Sequence, residues 1–513
     1  MKTEPSALII KFIYILTITL LVSCETKDEN TDLVFYPEVN EMGISPDTHL
    51  KITFKSQPNI GNKGKIKIFD ASNDSLVDVL DLSIPPGPTE YKKKPDADYI
   101  QEPYNYNTPV STNANTKPGT PSGGALPTSD DYQLTIIGGF SDAFHFYPII
   151  VHDSTAIIYP HHNLLGYNKQ YYVLMDSTVL STPDGNFKGI YNKDSWQFQT
   201  RKDRPELSKK KLIVDDRGDG DFNTLQGALD FIPEHHQDTI HVLIKSGVYE
   251  ELIYFRNKSN IIIEGESRAG TIVQYANNEV FNPHPRNLKT NEKLGTFPSR
   301  RAAFAIDNCS NIQLKNLTVK TLLKGQAEGL LINGDQVLVK NVTIVGDGDA
   351  LQTNGSAYFE DVKIDGGGDM ILGRGPAFFK NCEFLSPGPF MWIRNTAENH
   401  GNVFLNCSFT NTGKNEAVLA RTTDNRGEGY PYCEAVLLNC TLDGIAPEGW
   451  SVRGENTHSI HYWEYNSIDK TSGEPINISE RHPISRQLTK ENDSLLIQQY
   501  TDPTFVFGGW KPE

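Results

Sequence analysis

The sequence predicts an all-β chain, a right-handed parallel β-helix preceded by a β-sandwich, on three observations. Its 41 glycines and 30 prolines are spread among β-branched and aromatic runs, the composition of a strand-rich, turn-rich globular protein. Residues 33–84 alternate apolar and polar positions between turn signals, as half-buried strands do. From residue 212 onward a short pattern recurs every 20 to 25 residues without helical spacing. A period of that length means one solenoid coil per repeat.

Charge and cysteine usage narrow the function classes. Lys plus Arg number 48 against 64 Asp plus Glu, a formal charge of −16, which argues against a nucleic-acid partner because phosphate binding needs basic surface. The 6 cysteines, at 24, 309, 382, 407, 433 and 440, are too few for a disulfide scaffold and lack the CxxC pairs of a thiolate metal site. No metal or other cofactor is expected.

In chain order, residues 1–24 place Lys2 and Lys11 around the start of an apolar run over 12–22 and close on Leu21-Val22-Ser23-Cys24. The run is shorter than the roughly 20 residues a spanning helix needs. It reads as an export signal with a lipobox, resembling a bacterial lipoprotein, in which Cys24 is lipidated and 25–32 is a tether. The expected location is the cell envelope, as an outer-membrane or cell-surface lipoprotein held to the membrane by its lipid anchor. An ordinary cleavable signal is the alternative.

Segment 33–201 reads as a β-sandwich, with strands at 50–54, 65–69, 132–137, 156–159, 170–175 and 195–200. An insertion over 85–127 carries nine of the prolines and can neither pair as a sheet nor pack as a helix. The segment is similar to bacterial Ig-like modules and reads as a spacer. Residues 202–211 are a basic linker.

The repeat over 212–513 has the form apolar-x-(Asn or Asp)-apolar-x-apolar at 314–319, 339–344, 359–364, 379–384, 404–409 and 437–442. Its Asn/Asp positions are 316, 341, 361, 381, 406 and 439. The next positions, Leu317, Val342, Val362, Cys382, Cys407 and Cys440, form an inward stack in which cysteine acts as a small hydrophobe. Cys382 and Cys407 could be a disulfide or two buried thiols.

Counting from the ladder finds chemistry. Asp349 follows Asn341 by eight residues, as Asp369 follows Asp361, so the two carboxylates stack on consecutive coils about 5 Å apart. Like charges that close push one pKa up and leave the other low, giving an acid and a nucleophile or base. Both sit among glycines, in Gly346-Asp347-Gly348-Asp349 and Gly366-Gly367-Gly368-Asp369, although Asp-Gly pairs also mark ordinary turns. Gln326, a coil earlier, could donate to an oxyanion. Arg421, two coils later, could hold a carboxylate ionised. Together the four make an ester-cleaving site.

From Leu212 to the C-terminus these residues resemble the pectin methylesterases. The entry Asp219-Gly220-Asp221-Phe222-Asn223-Thr224-Leu225-Gln226, then Gly247-Val248-Tyr249-Glu250-Glu251, Gly325-Gln326-Ala327, Gly348-Asp349-Ala350-Leu351, Asp369-Met370-Ile371-Leu372-Gly373, Leu419-Ala420-Arg421 and Ala446-Pro447-Glu448-Gly449-Trp450 follow that family's motifs in order. The resemblance implies that Asp369 attacks the methyl ester of a galacturonate unit while Asp349 serves as acid and then base. Gln326 would stabilise the oxyanion and Arg421 would keep Asp369 charged. The substrate would be pectin, or methyl-esterified homogalacturonan, and Trp450, Trp392, Tyr430 and Trp463 could stack on its sugars. A monomer is expected. Three departures stand out: Gly348 replaces a family glutamine that is a second oxyanion donor, with Gln352 or a backbone N–H as a substitute. Thr422-Thr423 replaces Pro-Trp, and Arg374 replaces Asn. A β-helix polysaccharide lyase and a catalytically decayed glycan-binding protein are the competing expectations.

Overall fold

The structure is a computed structural model that describes residues 33–88, 132–138, 144–282, 300–421, 424–425, 428–452 and 457–513. The export segment, Cys24, the tether, most of the 85–127 insertion, and Thr422 and Thr423 lie outside the described residues.

The first unit is a two-sheet sandwich. One sheet orders Val34–Tyr36, Leu50–Thr53, Thr155–Ile158 and Ile149–His152, all antiparallel. The other orders Glu41–Ile44, Gln197–Thr200, Gln170–Met175, Lys65–Asp70 and Ser75–Asp81, with its first pair parallel. The alternation read from the sequence puts Ile52, Ile66, Ile68, Val173 and Phe198 between the sheets. Trp196 is fully buried there, and its indole N–H donates to the Pro37 carbonyl at 2.9 Å. The strand expected over 132–137 is only Leu134–Thr135.

The second unit is a parallel β-helix with three strand faces per coil. The first face carries Ile253–Arg256, Leu351–Thr353, Ile371–Gly373, Met391–Ile393, Ala420–Arg421 and Trp450–Ser451. Two long bent strands, Phe304–Lys315 and Leu330–Lys340, join this face to the second. The third is a nine-stranded parallel sheet from Gly247–Glu250 to Ile468–Asp469.

The ladder Asn/Asp residues occupy the corner between the second and third faces. Each has left-handed backbone, with φ of 56° at Asn316, 53° at Asn341, 56° at Asp361, 54° at Asn381, 55° at Asn406 and 54° at Asn439. Most side chains there incur about 1–2 kcal/mol, and Asn and Asp tolerate it best. Their amides also bond from coil to coil, Asn341 donating to Asn316 at 2.9 Å and Asn466 to Asn439 at 3.0 Å. The inward stack from Leu317 to Cys440 is buried as expected. Cys382 and Cys407 are free thiols, the backbone N–H of Cys382 donating to the Cys407 sulfur at 3.4 Å. Phe359, Phe379 and Phe404 stack beside them at 4.5 and 4.8 Å between centroids.

Two features depart from the sequence reading. The region expected to be all coils ends in helices Lys490–Tyr500 and Pro503–Val506, started by the side chains of Thr489 and Asp502 as N-caps. They cover Tyr358, Phe378, Val403 and Val436 on the second face. The sandwich read as a spacer is also docked on the coils: Arg201, its last residue, donates to the carbonyls of Asp221 and Gly220 at 2.9 and 3.1 Å. Asp47 of the sandwich accepts from the backbone of Asn223 and Thr224 and from the Thr224 hydroxyl, at 2.8 to 3.0 Å. Ile137 and Phe144 pack with Tyr254, Ala303 and Leu331 on the outside of the coils. The sandwich thus closes one end of the first face.

Because Phe379 is the middle ring of a fully buried stack, Phe379→Ala should lower unfolding free energy by about 3–5 kcal/mol. Denaturant titration measures this, and a loss under about 1 kcal/mol would remove the stack from the stability account.

Candidate active site

The register of the first face puts the two aspartates together. Leu351 pairs with Ile371 on the next coil, so Asp349 and Asp369, each two residues upstream, share one ladder position a strand spacing apart, about 4.8 Å. Each leaves the coil through a left-handed residue, φ 65° at Asp349 and 56° at Asp369, the kind of conformational cost that concentrates at functional sites. Glycine makes the approach possible, since a Cβ on Gly368 would meet the Gly388 carbonyl oxygen at 2.6 Å.

The environments of the two carboxyls differ. The side chain of Asp369 is 19% exposed and lies in a guanidinium fork. Arg421 donates from Nε to Oδ1 at 2.6 Å and from Nη2 to Oδ2, and the two-point contact fixes the carboxylate's orientation. The Arg421 guanidinium is itself 4.6 Å from the centre of the Trp392 ring, with Arg394 at 4.9 Å from the same ring. Asp349 is 4% exposed. Burial pushes its carboxyl up; Arg301 pulls it back, Asp369 pushes it up again, and Arg394 and Arg421 pull it back. The net direction is upward, so Asp349 holds a proton more readily than an ordinary carboxyl.

Gln326 is exposed on the preceding coil, its backbone bridged to Gly348, which leaves its amide available to a substrate. Gln352 is not a substitute for the missing glutamine: it is fully buried between Leu331 and Leu372. Tyr430 is half-buried, and its hydroxyl accepts from Arg374 Nη2 at 3.0 Å. Trp392 is also half-buried. Trp450 corrects the sequence expectation. It is 1% exposed and stacked on Tyr462 at 4.4 Å inside the coil core, so it has no face to offer a sugar. Trp463 packs with the cluster under the C-terminal helices, away from the aspartates.

Sequence reasoning missed Arg301, Glu328 and Arg394. Glu328 stands on the preceding coil two residues before Leu330, which pairs with Leu351, where the register slips by one residue after the Gln326–Gly348 bridge. Counting back from strand starts would have found it; counting forward from the Asn ladder does not, because that coil is longer. Arg301 precedes its strand in a segment outside the repeat. Among the described residues no group of three or more His, Cys, Asp or Glu side chains is placed to hold a metal ion.

The family model of the pectinesterases matches residues 211–508. The chain belongs to the pectinesterase family. It is 28% identical over 329 residues to Pectinesterase QRT1 of Arabidopsis thaliana, covering 58% of this chain and 78% of that one. It is also 27% identical over 305 residues to "Probable pectinesterase 8" of the same plant, covering 56% and 73%. Among solved structures, pectin methylesterase from carrot aligns with a TM-score of 0.48 at 20% identity, over 58% of this chain and 94% of that one. The Yersinia enterocolitica pectin methylesterase aligns at 0.42 and 20%, over 56% and 99%. As a pectinesterase, the chain is a carboxylic ester hydrolase, and the paired aspartates lie within the matched region.

Trp392 steadies Arg421 through its ring face, an interaction of about 0.5–2 kcal/mol. Trp392→Leu should therefore slow ester hydrolysis by about 2- to 30-fold, read from steady-state rates at saturating substrate. An unchanged rate would show that Asp369 alone positions the guanidinium.

Proposed function

We propose that this pectinesterase hydrolyses the methyl esters of galacturonate units in pectin through Asp369 as nucleophile and Asp349 as general acid and base. The observation that carries the reading is the pairing of a buried, proton-retaining carboxyl with a guanidinium-held carboxylate on adjacent coils. An Asp369 oxygen attacks the ester carbonyl carbon, and Gln326 donates to the resulting oxyanion. Collapse breaks the bond to the methoxy oxygen, which takes the Asp349 proton and leaves as methanol. The product is an anhydride between Asp369 and the sugar acid. Asp349, now a carboxylate, takes a proton from water as that water attacks the anhydride. This releases the galacturonic acid, which ionises, and restores both aspartates. Arg421 keeps Asp369 oriented throughout, while Trp392 and Tyr430 flank the groove where the sugar chain lies.

The same reading places the enzyme outside the cytoplasm, tethered through a lipidated Cys24, with the sandwich as an Ig-like spacer. Pulse-labelling with a fatty acid and its loss in Cys24→Ser test the anchor.

Incubation with highly methylated pectin should release methanol. An unsaturated product in its place, dependent on calcium, would instead identify a lyase. Asp369→Asn and Asp349→Asn should each lower methanol release at least about 1,000-fold while far-ultraviolet circular dichroism stays unchanged, because neither side chain belongs to the coil core; full activity in either variant would remove its role. Gly348→Gln should raise the rate, by up to about 100-fold if the amide reaches the oxyanion. A Cβ there meets nothing closer than the Gly325 carbonyl oxygen at 3.3 Å, so the variant can be accommodated.

A further inference from the structure

Behind Asp349 lies a buried charge cluster that the mechanism above does not use. Arg301 is 5% exposed and donates from Nη2 to Asp349 Oδ2 at 2.9 Å. Its Nε donates to both oxygens of Glu328, at 2.8 and 2.9 Å, and its Nη1 stands 3.8 Å from Glu279. Glu328 is fully buried and Glu279 is 7% exposed. Three carboxylates thus share one largely buried guanidinium. Glu328 also lies on the coil before that of Asp349, two residues ahead of Leu330, just as Asp349 and Asp369 lie two residues ahead of Leu351 and Ile371, and Leu330, Leu351 and Ile371 pair in series.

A general acid next to a fixed cation presents a difficulty. The pull of a guanidinium at hydrogen-bond distance favours the ionised carboxylate, whereas Asp349 must hold a proton for methanol to leave. A second anion on the same guanidinium resolves this by neutralising the cation.

We propose that Arg301 and Glu328 are positioning residues that set whether Asp349 carries its proton, the charge on Glu328 deciding how much of the Arg301 attraction falls on Asp349. With Glu328 ionised, Arg301 is balanced and Asp349 keeps its proton as the acid. With Glu328 protonated, the guanidinium is left to Asp349 and the more distant Glu279, and it holds Asp349 as the carboxylate that the second step needs as a base. Burial pushes the Glu328 carboxyl up to about 7, with Arg301 pulling it back and Asp349 pushing it up, so both of its states are accessible near neutral pH.

Glu279 faces Arg301 as a third carboxyl, 3.8 Å from its Nη1. Asp349 faces Arg301, Asp369, Arg394 and Arg421. Glu328 faces Arg301 and Asp349, and the buried phenol of Tyr254 faces Glu328 and Arg301. Burial pushes that phenol well above its ordinary range, so it stays neutral at working pH. The fixed cations do not titrate there. The alkaline limb of kcat/KM is therefore assigned to Asp349 losing its proton.

The inference rests on the esterase reading for the role of Asp349, and the test separates the two. Glu328→Gln keeps size and one acceptor oxygen for Arg301 Nε but removes the balancing charge. The alkaline limb of kcat/KM for methanol release should then move to lower pH by about one unit, with KM little changed. Arg301→Met removes the cation and should move the limb upward. If that variant fails to fold, Glu328→Gln still decides. A fall in kcat with the limb unmoved would make the cluster a structural prop and overturn the proposal. If the wild-type enzyme releases no methanol, the esterase reading fails instead. The coupling is then decided by carbon-13 titration of the Asp349 carboxyl in aspartate-labelled protein, assigned with Asp349→Asn. A titration point that Glu328→Gln leaves in place overturns it there too.

Discussion

Parallel hydrogen bonding between coils is the constraint on which the molecule depends. Each coil stacks on the next at one strand spacing, so a residue's chemistry is set by its offset within the coil and by what occupies that offset above and below. The core uses this in the phenylalanine stack of Phe359, Phe379 and Phe404. The corner between faces uses it in the left-handed Asn ladder. The candidate active site uses it to bring carboxyl groups together that solvation alone would keep apart.

Stacked carboxylates are costly unless each has its own compensation, and here the compensations differ. Asp369 is partly exposed and gripped by the Arg421 fork, which fixes its orientation. Asp349 is buried and shares Arg301 with Glu328. A single ladder position therefore holds carboxyl groups in different surroundings, without a metal ligand set among the described residues. The difference comes from what flanks the ladder, since the backbone is nearly the same in the two coils.

That distinction explains how much the sequence reveals. Periodic features are legible: the coil repeat, the inward stack ending in Cys382, Cys407 and Cys440, and Asp349 and Asp369, which keep equal offsets from Asn341 and Asp361. Features set by side chains arriving from outside the repeat are not. Arg301 enters from an irregular segment, and Trp450 looks like a sugar platform in sequence but is swallowed by Tyr462 and the coil interior. Glu328 sits between the two cases, on the coil before Asp349 but in a longer coil whose register slips by one residue. The closing helices were hidden for a further reason: Lys490–Tyr500 buries only two of its own residues and carries little apolar periodicity.

The coils are unequal in length, and the inequality is not spread evenly. The ladder Asn/Asp positions 341, 361 and 381 are separated by the shortest coils, while the gaps before 341 and after 381 are longer. A residue added at a loop in the longer coils can bulge outward and leave the stack in register. Within the two short coils it would rotate one aspartate off the shared offset while the solenoid still closed. Such a chain would fold and bury its core with its aspartates out of line, so length change should be excluded from the stretches that lead from Asn341 to Asp349 and from Asp361 to Asp369.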